Sequence, residues 1–167
     1  MNANKAYRNE ITQWVEQHSL GDWCGWYSLT LTMKQYIRVK SERRTGTFQF
    51  NLDEIEASQN MRYFLNRLNK SILGSAFTRY GKRLLVAPSF EYGDSNNLHY
   101  HLLIKVPDRI TEIQLRRLVL SNWMKTKWGL WQMDIQETYS SGWLHYITKD
   151  TTRDFANIDF CNTTLTP

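Results

Sequence analysis

Leu98-His99-Tyr100-His101-Leu102-Leu103-Ile104 decides how the chain is read. Its apolar flanks, and the turn-forming Gly93-Asp94-Ser95-Asn96-Asn97 before it, predict a buried strand leaving a hairpin loop. Alternate residues of a strand share a face, so His99 and His101 project side by side and Tyr100 points away. Two imidazoles about 7 Å apart along a strand can close on one metal ion if a neighbouring strand brings a third ligand. Glu91 is placed to be that ligand, in the preceding run Leu84-Leu85-Val86-Ala87-Pro88-Ser89-Phe90-Glu91-Tyr92, the expected hairpin partner. A His-x-His pair alone is common surface or core decoration, so the reading depends on the rest of the chain.

Toward the N-terminus, Tyr7, Ile11, Trp14 and Val15 recur at helical spacing and predict an amphipathic helix from Ala6 to His18, ended by Leu20-Gly21-Asp22. Trp26-Tyr27-Ser28-Leu29-Thr30-Leu31-Thr32 alternates hydrocarbon and hydroxyl, the pattern of a strand with Tyr27, Leu29 and Leu31 on one face. The hydroxyl face of Ser28, Thr30 and Thr32 suits either solvent or a polar site. Lys34 to Thr47 is basic, with Lys34, Arg38, Lys40, Arg43 and Arg44 against Glu42, and reads as a strand or strand edge feeding a loop. Such a loop is either simply solvated or in contact with phosphates. Asn51-Leu52-Asp53-Glu54 resembles a capping box. The helix it opens has a core stripe of Leu52, Ile55, Met61, Phe64, Leu65, Leu68 and Ile72 and stops at Gly74. After the turn Arg79 to Arg83 come the two hairpin strands, and Pro88 argues for an edge or a bulge in the first.

Toward the C-terminus, Pro107-Asp108 breaks the second hairpin strand, and Thr111-Glu112-Ile113-Gln114 forms a second capping-box pattern. The helix it opens runs to about Lys127, packing Leu115, Leu118, Val119 and Trp123 and exposing Arg116, Arg117, Lys125 and Lys127, with Gly129 ending it. Leu130 to Glu137 then alternates, with Trp131, Met133 and Ile135 on one face and Gln132, Asp134 and Gln136 on the other. Ser140-Ser141-Gly142 supplies N-caps for a short helix from Trp143 to Asp150, and the sequence past Thr151 reads as a loosely ordered polar tail. The order predicts an α+β fold: a central, largely antiparallel sheet with helices packed on one face and the other face left for a site.

The 167 residues suit one domain, divided as an N-terminal helical extension (1–25), a main domain (26–150) and a polar tail (151–167). The chain is aromatic-rich, with seven Trp and nine Tyr, and carries a formal charge of +5. A basic excess of this size is compatible with nucleic acid without pointing to it alone. Two cysteines, Cys24 and Cys161, are too few for a disulfide framework or a thiolate metal site, which suits a reducing cytoplasm. No signal peptide and no bilayer-spanning apolar run is expected.

Trp143-Leu144-His145-Tyr146-Ile147-Thr148-Lys149-Asp150 adds the last chemical pair. Tyr146 and Lys149, three apart, share a helical face, and an ammonium beside a phenol lowers its pKa from about 10. A tyrosine nucleophile needs that, although Tyr-x-x-Lys alone occurs often by chance. Together, a Leu-Thr-Leu-Thr strand, His-Tyr-His and Tyr-x-x-Lys, in this order, resemble the three motifs of the HUH endonucleases. They are most similar to the single-tyrosine replication initiators of rolling-circle plasmids, phages and small DNA viruses. The resemblance covers Tyr27 to Lys149.

The resemblance implies transesterification on single-stranded DNA. His99, His101 and Glu91 would bind Mg²⁺ or Mn²⁺, which polarises the scissile phosphate. Tyr146 would attack and keep the 5′ end as a phosphotyrosine ester, with Lys149 stabilising developing charge. Thr30 and Thr32 would floor the site, and Lys34, Arg38, Arg43 and Arg44 would hold phosphates. No helicase domain is expected after the tyrosine helix, and no Gly-x-x-x-x-Gly-Lys-Ser/Thr loop occurs. Supercoiling or a host helicase would therefore have to expose the strand. The expected setting is the cytoplasm of a bacterial or phage-infected cell. Both roles stay open, initiator of an element's own replication and stand-alone nickase against another replicon. A cupin-like metalloenzyme matches Gly93 and His99-x-His101 but lacks the following glutamate. A non-catalytic single-stranded nucleic-acid-binding module accounts for charge and aromatics but leaves Glu91, His99, His101 and Tyr146 without a role.

Overall fold

The computed structural model describes residues 24–40, 46–93, 97–139 and 158–164, with positions 9, 10, 13 and 17. Those four positions are helical and exposed, where the expected N-terminal helix carries Asn9, Glu10, Gln13 and Gln17. The elements are β1 (Trp26–Met33), β2 (Tyr36–Lys40), β3 (Thr47–Asn51), α1 (Glu54–Leu73), α2 (Ser75–Tyr80), β4 (Leu85–Tyr92), β5 (Leu98–Lys105), α3 (Glu112–Trp123) and β6 (Gly129–Glu137). Four strands form one sheet in the order β4-β5-β1-β6, with every neighbouring pair antiparallel. The fold is α+β, with the helices on one side of the sheet, and an open sheet of this kind is not a cupin barrel.

Register decides which face is which. Tyr27, Leu29, Leu31 and Met33 of β1 share a face with Leu98, Tyr100, Leu102 and Ile104 of β5, and all join the buried core. Ala57, Met61, Phe64, Leu65, Leu68 and Ile72 of α1 cover that face, together with Leu115, Val119 and Trp123 of α3. Phe64 and Trp123 meet edge to face at 5.1 Å, the geometry their ring quadrupoles favour. Ile55, expected in the stripe, is exposed. It precedes Ala57 by two residues, which turns it about 200° around the helix, away from the sheet.

The helix boundaries are set by caps. Asp53, not Asn51, caps α1, its carboxylate accepting from Glu56 N–H at 2.8 Å, while Asn51 ends β3. Gly74 (φ 55°) stops α1, as its sequence position predicts, and a short helix, α2, follows where the sequence predicts only a turn. Thr111 and Gln114 form the reciprocal capping box of α3. That helix ends at Trp123, four residues before the expected Lys127, because both the N–H and the hydroxyl of Thr126 bond to the Trp123 carbonyl. Gly129 begins β6 instead of ending the helix. A Cβ there would lie 2.2 Å from the Trp123 carbonyl oxygen.

Four further features depart from the sequence reading or sharpen it. The basic stretch after Met33 is a β2–β3 hairpin forming its own two-stranded sheet. Trp131 is exposed although it alternates with Met133 and Ile135, because the β1–β6 register shifts between Leu31 and Met33. Arg116 is half-buried and donates to the Ile135 carbonyl at 2.9 Å. Residues 158–164 are not a loose tail: Ile158 and Thr164 bridge to Ser89 and Val86 of β4, and Ile158, Asp159 and Asn162 are buried. Asp159 accepts from the Tyr100 hydroxyl at 2.8 Å, from Ser58 at 3.1 Å and from Asn162 at 2.6 Å. Burial and that carboxylate push the Tyr100 phenol far above its ordinary value. Pro88 sits in the edge strand, as expected. Its carbonyl accepts from Asp159 N–H on the outer side, so its missing donor costs the β5 ladder nothing.

Candidate metal centre

The face of the sheet opposite the helices is built by the other half of each alternation. β1 places Ser28, Thr30 and Thr32 there, β5 places His99 and His101, and β4 places Ser89 and Glu91. Glu91 pairs with His99 and Ser89 with His101, and on the other side Thr32 pairs with His99 and Thr30 with His101. The expected hairpin register and the expected polar role of the hydroxyl face are both found. Asp134 and Gln136 of β6 lie on the same face. The sequence reading puts those two residues on one face of their strand without connecting that face to the histidines.

Three ligand atoms converge. His99 Nε2 lies 3.1 Å from His101 Nε2, Glu91 Oε2 lies 3.0 Å from His101 Nε2, and Glu91 Oε2 lies 4.0 Å from His99 Nε2. The rings stand nearly perpendicular, at 80°. Donors about 2.1–2.2 Å from a common ion and at right angles to one another stand about 3.0–3.1 Å apart, so two of these separations match adjacent corners of an octahedron. Mixed imidazole and carboxylate donors suit a small divalent cation. Among the described residues these three are the group of His, Cys, Asp and Glu side chains that could hold a metal.

The far nitrogens are also engaged. His99 Nδ1 faces the Asn97 carbonyl at 3.3 Å, which can only accept, so that nitrogen carries the proton and Nε2 keeps its lone pair. His101 Nδ1 faces the Thr30 hydroxyl at 3.1 Å. The proton on His101 Nδ1 donating to Thr30 Oγ1 again leaves Nε2 free to ligate. Burial, with the neighbouring His99 adding to it against the opposing pull of Glu91, holds the His101 ring below the ordinary imidazole value. It is therefore neutral at neutral pH, the form a metal requires. Thr30→Val keeps shape and removes the hydroxyl, and it should weaken Mn²⁺ binding by about 10- to 100-fold, read by calorimetry, with Thr30→Ser restoring it.

The remaining site residues are more dispersed. Thr32 donates to the Gln132 carbonyl at 2.6 Å, at the shifted part of the β1–β6 ladder. Lys34 donates to the Lys127 carbonyl at 3.3 Å, and Arg38 is exposed on β2. Arg43, Arg44, Tyr146 and Lys149 lie outside the described residues. Tyr139 is exposed and donates to Glu137 at 2.7 Å, which raises its phenol pKa, the opposite of what a nucleophile needs. Glu137 pairs with Tyr27, whereas Thr32 pairs with His99, so Tyr139 adjoins the end of β1 away from the metal ligands. Five strand residues, about 17 Å, separate the two ends.

An antiparallel sheet with helices on one face and a His-Glu-His cluster on the other defines an α+β protein able to hold a divalent metal. The chain belongs to the replication-associated protein family of ORF2 and the gene II protein, whose sequence model matches residues 27–155. No curated protein and no solved structure matches it. Membership ties the protein to replication of the rolling-circle kind and makes DNA its partner. No helix among the described residues is long and apolar enough to cross a membrane.

Proposed function

We propose that this protein is an HUH-type, single-tyrosine nickase that cuts and rejoins single-stranded DNA through a 5′-phosphotyrosine intermediate. The observation that carries this is the convergence of His99 Nε2, His101 Nε2 and Glu91 Oε2, all within 4.8 Å of one another, in a replication-associated family. Residues 26–150 would be the endonuclease domain. His99, His101 and Glu91 would hold Mg²⁺ or Mn²⁺, which supplies Lewis-acid polarisation of a phosphate oxygen.

The chain's own residues do the rest. The Tyr146 oxygen attacks the scissile phosphorus, the bond to the 3′ oxygen breaks, and that oxygen leaves as a hydroxyl after taking up a proton. Lys149 lowers the cost of the phenolate and of charge on the phosphoryl oxygens. One phosphodiester is exchanged for another, so the step reverses when a 3′-hydroxyl returns. Thr30 holds His101 in its ligating tautomer, Thr32 shares the floor of the site, and Lys34, Arg38, Arg43 and Arg44 hold backbone phosphates. The same chemistry serves an initiator of rolling-circle replication and a stand-alone nickase acting on another replicon, in the cytoplasm of a bacterial or phage-infected cell.

The test is Mn²⁺-dependent cutting of defined DNA. Single-stranded oligonucleotide and supercoiled plasmid should be cut, and relaxed linear duplex hardly at all, because the proposed chemistry includes no strand-opening step and a host helicase would supply it. Binding should weaken about tenfold or more between 50 and 200 mM salt, as release of counterions from several phosphates requires. Equal cutting of linear duplex and single strand would contradict the proposal.

A further inference from the structure

The β2–β3 hairpin stands outside the main sheet and supplies no metal ligand. Its register pairs Ile37 with Phe50 and Val39 with Phe48, which puts four apolar side chains on one face. The core takes up one end of that face: Ile37 packs against it, and the Phe50 ring lies 6.0 Å from the Trp128 ring. Phe50 is still 36% exposed and Phe48 53% exposed. Two exposed rings two residues apart on a strand stand about 7 Å from each other, presenting successive flat platforms. Sheet-borne aromatics of this kind stack unpaired bases, a contact that tolerates any sequence because every base has a π face.

Charge favours the same occupant. Neither hairpin strand contains an acidic residue, and Arg38 and Lys40 are exposed on β2. Lys127 Nζ lies 4.8 Å from the Phe50 ring centre, and Lys34 donates to the Lys127 carbonyl. The carboxylate beside them, Glu56, is already bonded to Lys127 and to the Trp128 indole, each at 3.0 Å. The surface is also continuous with the metal centre. Gln35, in the link from β1 to β2, donates to the Leu98 carbonyl at 2.9 Å and accepts from Leu98 N–H at 2.8 Å. Leu98 immediately precedes His99.

We propose that the Phe48–Phe50 face of this hairpin stacks bases of the single strand running off the metal centre, with Arg38, Lys40 and Lys34 surrounding it with positive charge. This deepens the nickase reading and rests on it for the choice of DNA as occupant. The test measures binding of a fluorescently labelled twenty-nucleotide oligothymidine by the full chain in chelator, where no cutting contributes. Phe48→Leu/Phe50→Leu keeps apolar bulk and removes the rings, and it should weaken binding about tenfold or more. Phe48→Tyr/Phe50→Tyr should stay within about threefold of the unaltered protein. If the double leucine variant does not fold, Phe48→Leu alone, at the more exposed position, should still weaken binding by about threefold or more. Unchanged affinity in the leucine variants would overturn the proposal. Unchanged affinity accompanied by a change from dimer to monomer in sedimentation would assign the face to a second copy of the chain. Failure of the nickase reading would show separately, as absence of Mn²⁺-dependent cutting in a protein whose binding still depends on Phe48 and Phe50.

Discussion

His101→Ala should lower Mn²⁺-supported cleavage by about a thousandfold or more, into the background of an assay containing chelator. The expected size follows from the several kcal/mol of transition-state stabilisation a Lewis acid supplies, each 1.36 kcal/mol being a factor of ten. His101 has the strongest claim of the three ligands. It is buried, lies within 3.1 Å of both other donor atoms, and has its second nitrogen held by Thr30. His99→Ala should act similarly. Glu91→Ala should cost less, since Glu91 is partly exposed and a water can take its place. Circular dichroism and single-strand binding in chelator should match the unaltered protein, which separates loss of metal from loss of fold. Undiminished cleavage by both histidine variants in chelator-treated buffer with Mn²⁺ restored would remove the site from the reaction.

Tyr146→Phe should have the larger effect. The substitution deletes one oxygen, the proposed nucleophile, so the covalent product should vanish and nicking fall by about 10⁴-fold or more. Metal and DNA affinity should stay within about twofold, because a phenyl ring fills the same volume. Tyr139→Phe is the matched control and should leave adduct and rate unchanged. Its phenol is tied to Glu137 and adjoins the end of β1 opposite the metal ligands. Normal nicking by Tyr146→Phe would make water the nucleophile, and loss of adduct in Tyr139→Phe alone would exchange the roles of the two tyrosines.

Much of the fold and of the metal centre was legible because period-two alternation acts on both faces of a strand at once. Leu98, Tyr100, Leu102 and Ile104 required a buried face, which left His99 and His101 on the other, and the hairpin loop then brought Glu91 opposite His99. Thr111 and Gln114 marked the start of α3 because the capping box is a local contact between residues three apart. What was missed depends on contacts that periodicity does not encode. Asn51 and Asp53 are both competent caps, and only the pairing of Asn51 with Tyr36 in the hairpin excludes the first. Every residue of β3 is exposed, so it carries no burial pattern to read. Trp131 fits its alternation and is displaced by a register shift. Ile158 to Thr164 reads as polar tail because Asp159 and Asn162 are buried through hydrogen bonds to Tyr100 and Ser58, elements distant in the chain. Alternation alone puts Thr30 on the floor of the site, and its contact with His101 Nδ1 becomes visible only once the β1–β5 register is known.

The most direct measurement follows both ends of the cut. A single-stranded oligonucleotide containing the nick site, carrying different labels at its 5′ and 3′ ends, is incubated with the protein and Mn²⁺ and quenched in denaturant. The account predicts that the 3′-labelled fragment migrates with the protein through a 5′-phosphotyrosine bond, while the 5′-labelled fragment is released with a free 3′-hydroxyl. Both should be absent in chelator, and added 3′-hydroxyl strand should discharge the adduct by rejoining. Release of both fragments free of protein, in amounts equal to the cut substrate at every time point, would contradict it.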